Sequence, residues 1–317
     1  MAAHVNCENA RVMERRPLGS GGLEGSRLAL GSWRTFERIP REDGVAVMRA
    51  AREHGFNFLD DARYNDETGQ APIATGYSEV LFGELFRACG WDRADTVVAN
   101  KLWWEFWPRQ SAAQELEESL RRMRFDYVDL IYANPAPTGL PIVELVSAMG
   151  ELIDSGKARA WGIVNWEPGA FREAAQAAEQ QGVVQPCAAQ LPYSLVGRDW
   201  VESEQMEAAL AASGAGVVAS YVLAGGVLTG KYDAGGSGRA EPELDDPRLR
   251  SARELGRRLR ALAEELGVSP AALAIAFALA NPSVVSVLFG ATSPAQIAEN
   301  AAALAIDQAT VERVREI

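Results

Sequence analysis

Five polar residues stand where apolar runs of this chain stop: Asp60 after FNFL, Lys101 after TVVAN, Asn134 after VDLIYA, Asn165 after WGIV and Gln190 after CAA. Each run is short and mostly apolar, the pattern of a buried strand. A lysine at such a place either reaches solvent along its aliphatic stem or is held beside a group that needs its charge. Asp60 and Asp61, with Arg63 and Tyr64 just beyond, could likewise cap a helix or serve a site. Brought together, Asp60, Tyr64 and Lys101 have a definite chemistry. The lysine ammonium lowers the pKa of a nearby phenol towards working pH, and the aspartate orients the lysine and balances its charge. A phenol tuned in this way donates a proton to a carbonyl oxygen that is receiving hydride.

Residues so far apart in sequence meet only if strand ends converge. From Leu28 onward, strand-like runs (SRLALGS, FNFLD, TVVANK, YVDLIYAN, ARAWGIVN, CAAQ, GVVASY, SVVSVLF) alternate with helical ones such as REDGVAVMRAAREHG and SAAQELEESLRRMRF. Thr96 to Asn100 reads as a strand with Lys101 at its end. PIVELVSAMGELIDSGK reads as a helix with proline in its first turn, VESEQMEAALAASG as one helix, and PAQIAENAAALA as the last regular helix. Eight βα units in 317 residues predict a parallel sheet closed into a single (β/α)8 barrel, whose C-terminal strand ends share one mouth. Residues 1–12 read as a loose tail, and 13–317 as the barrel with an N-terminal β-hairpin.

Composition narrows the partners. A formal charge of -12 argues against nucleic acid or an anionic membrane surface. Cys7, Cys89 and Cys187 are too scattered for a disulfide framework or a zinc site, and no metal is expected. No apolar run reaches membrane-spanning length and the N-terminus has no signal-peptide core, so the cytoplasm is the default. A small-molecule substrate is expected, with monomer and homo-oligomer both open.

Two glycine-rich stretches resemble phosphate-binding motifs at first sight. Gly19, Gly21 and Gly25 lack a preceding strand and a following helix, so a glycine-turned hairpin is the reading there. GGVLTGK, Gly225 to Lys231, is followed by Tyr232 instead of Ser or Thr and by DAGGSG instead of a helix, which argues against an NTP-hydrolysing loop and leaves phosphate binding by Lys231 open.

FLDDARY, VVANK, YVDLIYAN, WGIVN, AAQ, GKYD and VLFGATSPAQIAEN occur in this order between about Leu18 and Leu304. As a set they resemble the aldo-keto reductase family, and most of all its branch that includes the potassium-channel β subunits. The resemblance implies an eight-fold barrel binding NADP(H) in extended form, and a tetrad of Asp, Tyr, Lys and His. Carried onto this chain the tetrad is Asp60, Tyr64 and Lys101, with Asn134 in the histidine's place. Asparagine donates hydrogen bonds but carries no proton, which leaves the tyrosine as sole acid. Asp60 and Tyr64 lie one residue closer than the family spacing, Asn65 takes the usual place, and Tyr77 is the alternative acid.

The resemblance also implies a cofactor site. Asn165 and Gln190, beside Asp60, match the residues that hold the carboxamide, and Gly31, Ser32 and Trp33 match the first-strand loop. Ser220 falls where an aromatic usually stacks on the nicotinamide, with Tyr221 one place on. Leu223, Gly226 and Lys231 match the pyrophosphate loop; Thr292, Gln296, Glu299 and Asn300 match the adenosine end. Gly290 and Gln296 replace the basic pair that reads the 2′-phosphate in single-ring reductases, a role then falling to Lys231 and Arg239, as in the channel-β branch.

Trp103, Trp104, Phe106 and Trp107 crowd the loop after Lys101. They form either a pocket wall or an oligomer contact; with Trp33 and Tyr64 they would line a substrate pocket suited to a flat aromatic molecule. Arg198 and Trp200 would line the same side. The reading is an NADPH-dependent reductase of aldehydes or ketones. Its alternatives are reduction of a conjugated C=C or C=N bond, and a cofactor-sensing subunit with little turnover.

Overall fold

The alternation of short apolar runs and amphipathic segments is realised strand by strand in the structure. A computed structural model, it describes residues 13–233, 235 and 247–317, with 247–249 as backbone alone. The expected tail, residues 1–12, and Arg239 lie outside the described residues.

A hairpin, β1 (Arg15–Pro17) and β2 (Glu24–Ser26), comes first. Then follow β3 (Leu28–Gly31), α1 (Arg41–Glu53), β4 (Phe58–Asp60), α2 (Tyr77–Ala88), β5 (Val97–Leu102), α3 (Ala112–Met123), β6 (Val128–Ala133) and α4 (Ile142–Asp154). The second half holds β7 (Ala158–Val164), α5 (Pro168–Gln181), β8 (Ala188–Pro192), α6 (Asp199–Glu202), α7 (Glu204–Ser213) and β9 (Gly216–Ser220). It ends with α8 (Pro247–Leu266), α9 (Pro270–Leu279), β10 (Val284–Phe289), α10 (Pro294–Ala301) and α11 (Gln308–Arg315). Strands β3 to β10 close a parallel barrel in the order β10-β3-β4-β5-β6-β7-β8-β9.

Four local readings are corrected. VESEQMEAALAASG is two helices, because Ser203 is extended (φ -71°, ψ 140°) and serves as cap to both. The helix over PAQIAENAAALA is not the last: α11 follows, started by the Asp307 carboxylate on the Thr310 N–H at 2.8 Å. Its apolar signal is thin, only Val311 and Val314 being buried. Strand β5 runs through Lys101 to Leu102, and Pro141 stands one residue outside α4 as its cap.

Alternation along each strand divides two apolar clusters. Leu28, Leu30, Leu59, Val98 and Ile131 join the layer under the helices, while Ala29, Phe58, Val97, Ala99, Leu130 and Tyr132 fill the interior. By the same period the inward set continues to Gly31, Asp60, Lys101 and Asn134 at the C-terminal ends. The hairpin closes the opposite end: Leu18 is wholly buried among the interior residues. Gly19 (φ 141°) sits so close that a Cβ would stand 2.0 Å from the Cys187 carbonyl oxygen, so only glycine allows this seat.

Candidate active site

Parallel register sets Asp60 beside Gly31 and Ala99, and Lys101 beside Tyr132. The Lys101 ammonium bonds Asp60 Oδ1, and Gln190 Nε2 donates to Asp60 Oδ2 at 3.0 Å. Asp60 and Lys101 are only 2% and 5% exposed, and charges so enclosed persist only when paired and hydrogen-bonded. Lys101 Nζ also donates to the Tyr64 hydroxyl at 3.4 Å. Asp60, Tyr64 and Lys101 are therefore brought together at the barrel mouth.

The backbone after β4 explains how Tyr64 gets there. Ser78, in the first turn of α2, donates to Ala62 O at 2.6 Å, and Gly76 N–H returns to Tyr64 O at 2.8 Å. An antiparallel bridge between Asn65 and Thr75 closes the intervening loop on itself. Asn65 is exposed, and Tyr77 opens α2 outside the cavity. Behind Asp60, the wholly buried Asp61 accepts a hydrogen bond from the Ser32 hydroxyl; burial, then the charge of Glu79, pushes its pKa well above the usual carboxylate range. Tyr132 lies below Lys101, its phenol raised well above the ordinary value by burial and by Asp60, and it stays neutral.

Two adjoining cavities of about 410 and 640 Å³ share Trp33, Tyr221, Leu288, Phe289 and Gly290. The inner one is lined by Gly31, Asp60, Tyr64, Lys101, Trp103, Asn134, Asn165, Gln190 and Ser220 among others. Asn134 commits one amide hydrogen to Leu102 O at 2.9 Å. Tyr221, at φ 56° and 43% exposed, borders both cavities and offers the aromatic face that Ser220 lacks.

The tryptophan loop divides differently from expectation. Only Trp103 lines the cavity, 5.9 Å from the Tyr64 ring and edge-on. Trp104 turns into the core, 5% exposed, and donates its indole N–H to Asn134 O at 3.1 Å. Trp107 packs edge-on against Trp104, and Phe106 lies under the Arg63 guanidinium. Arg198 covers the Phe277 ring at 4.7 Å, and neither it nor Trp200 lines either of these two cavities. The pocket readings of Trp104 and Trp107 are thus corrected, since these rings anchor their own loop, and Arg198 and Trp200 lie outside both cavities.

The outer cavity takes in Leu223, Gly226, Lys231, Gly290, Thr292, Gln296, Glu299 and Asn300. Ser32 lies behind it on Asp61. Gly226 (φ 91°) packs so tightly under Lys231 that a Cβ would meet Lys231 Cε at 2.8 Å. Gln296 Oε1 accepts the Thr292 N–H at 2.8 Å. The N-terminus of α9, from Ser269 to Ala271, borders the same space, and a helix N-terminus favours negative charge. Sequence reasoning missed Arg34 and Arg38, which also line it and both pair with Glu67, at 2.5 and 3.0 Å. It also missed Phe289, which the strand-end rule would have supplied.

A long groove with aromatic and amide groups at one end, and glycine turns, cations and a helix N-terminus at the other, fits an extended dinucleotide. Family comparison agrees with that geometry. The aldo/keto reductase family profile matches residues 27–317, and the chain belongs to this family of oxidoreductases, which generally bind NADP(H). It is 36% identical over 312 residues to a probable voltage-gated potassium channel subunit beta of Oryza sativa subsp. japonica, covering 92% of this chain and 91% of that one. To the protein of the same description in Arabidopsis thaliana it is 34% identical over 308 residues, covering 91% and 90%. Among the described residues no single helix is long and apolar enough to cross a membrane.

Proposed function

We propose that this protein is an NADPH-dependent reductase of aldehydes or ketones carried on small, flat aromatic molecules. The carrying observation is the Tyr64 hydroxyl 3.4 Å from Lys101 Nζ, itself paired with buried Asp60, on the wall of an aromatic cavity. Asn165 and the Gln190 carbonyl would hold the nicotinamide carboxamide, with Tyr221 and Trp33 against the ring. Leu223, Gly226 and Lys231 would hold the pyrophosphate, and Thr292, Gln296, Glu299 and Asn300 the adenosine. When bound, the nicotinamide supplies a hydride. Tyr64 then delivers its proton to the substrate oxygen, while the Lys101 ammonium stabilises the phenolate left behind. Asp60 holds the Lys101 ammonium in place beside Tyr64. Asn134, with one amide hydrogen uncommitted to Leu102, orients the carbonyl and meets its developing negative charge. Trp103 and Trp33 exclude water from the reacting end.

A second reading, a cofactor-sensing regulatory subunit, is favoured by the channel-subunit description of both relatives. Titration of the protein with NADPH by tryptophan fluorescence, then steady-state reduction of 4-nitrobenzaldehyde, separates the two. The reductase reading expects binding and turnover; binding with negligible turnover favours the sensor. Product analysis on an aromatic enone distinguishes the allylic alcohol expected here from a saturated ketone.

A further inference from the structure

Glu115 lies outside the groove and takes no part in the proposed chemistry, yet it is only 2% exposed. A buried carboxylate is held by its partners, and those partners show what it positions. It sits in the first turn of α3, fixed at its start by the Ser111 hydroxyl accepting the Gln114 N–H and the Gln114 side chain accepting the Ser111 N–H. From there Oε1 accepts the Trp103 N–H at 2.7 Å and Oε2 accepts the Trp104 N–H at 3.1 Å. Two successive peptide N–H groups on one carboxylate fix the position and the twist of that dipeptide. Trp104 has φ 60°, a conformation rare for a bulky residue and kept only where the surroundings impose it. The consequence is that neighbouring indoles part company: Trp104 enters the core and Trp103 stands over the cavity beside Tyr64.

A second limb meets the same acid. Arg63, the residue before Tyr64, is buried, with Nη2 2.9 Å from Glu105 and 3.7 Å from Glu115. Trp104 adds a third connection through its hydrogen bond to Asn134 O. The direct hydrogen bonds of this helix carboxylate all go to the Trp103–Trp104 backbone, with the Arg63 guanidinium beside it.

We propose that Glu115 is a positioning residue that sets the preference of this site for flat aromatic molecules by holding the Trp103 indole as a fixed wall. A planar guest gains from an indole already in place, whereas a small aliphatic aldehyde makes no use of it. The inference rests on the reductase reading for the term substrate, but the wall is expected to bind aromatic guests whether or not hydride transfer follows.

The test is calorimetric binding of 9,10-phenanthrenequinone in the presence of NADP+, which has no hydride to give. Glu115→Gln keeps the shape but replaces one acceptor by a donor; it is expected to weaken quinone binding about tenfold. NADP+ affinity and the KM for propanal should not change. Glu115→Asp, which keeps the charge but withdraws from the amides, should show the same loss. In a Trp103→Ala background the Glu115→Gln change should have no further effect, because the residue acts through that ring. Wild-type quinone affinity in both Glu115 variants, an equal extra loss without Trp103, or no quinone binding by the wild type would each overturn the proposal. So would failure of both variants to melt cooperatively, since the acid would then hold the fold instead of the wall. A wild type that binds quinone, with the variant effects above, but turns over no carbonyl would sink the reductase reading and support this one.

Discussion

The two ends of the barrel interior are built on the same alternation of inward and outward residues and put it to opposite uses. At the hairpin end the inward residues are Leu18, Phe58, Val97, Leu130 and Cys187, all apolar and buried together. At the mouth the same strands present Asp60, Lys101 and Gln190, which hold one another through hydrogen bonds. Burial stabilises the first end directly. The second end stabilises nothing by burial, since the pairing at most offsets the desolvation of its charges. The difference separates a layer that holds the fold from a layer placed at some cost to it.

That contrast is most exposed to Lys101→Met. Removing the cation leaves the buried Asp60 carboxyl without its ion-pair partner, so stability should fall by about 3–5 kcal/mol. Carbonyl reduction should fall by roughly 10²–10⁴ with the loss of the cation beside the Tyr64 hydroxyl. Urea denaturation and steady-state kinetics read the two effects. Adding Asp60→Leu should restore the stability without the activity; a double variant as unstable as the single one would break the comparison.

At the other end, Leu18→Ala should cost about 2–5 kcal/mol of stability, because the hairpin tip would leave a void between close-packed strands. NADPH affinity, measured well below the melting temperature, should be unchanged. A variant with wild-type denaturation and a weakened cofactor would reverse the assignment of the two ends.

The smallest effect concerns Asp61, immediately behind the mouth. Its pKa is raised by burial above its ordinary 3.8, so the protonated form is the one the folded state favours. The stability it contributes is present below the ordinary value and lost as pH rises through the raised one. Unfolding free energy should therefore decline more steeply with rising pH in the wild type than in Asp61→Asn. Identical slopes would show that Asp61 is already ionised in the folded protein.

Much of this was legible in the sequence because strand-end polarity is a local signal. Asp60, Lys101, Asn134 and Gln190 each interrupt an apolar run, and a closed barrel brings such interruptions to one mouth. The tryptophan loop was not legible in the same way. Four large rings within five positions look alike, and which of them faces the cavity depends on the left-handed turn at Trp104 and on a carboxylate eleven residues along the chain from it. Arg34 and Arg38 were missed for a related reason: their pairing with Glu67 crosses between two loops and leaves no periodic trace. The break at Ser203 shows the converse, a helix pattern continuing through a residue that ends it.

The proposed mechanism stands on Tyr64, beside Lys101, as proton donor. Its most direct test is single-turnover oxidation of bound NADPH by 4-nitrobenzaldehyde in wild type and Tyr64→Phe, with cofactor affinity measured on the same samples. The expected result is unchanged NADPH affinity and a rate lowered by roughly 10²–10⁴ in the variant. Equal rates in the two proteins, with NADPH bound alike, would contradict it.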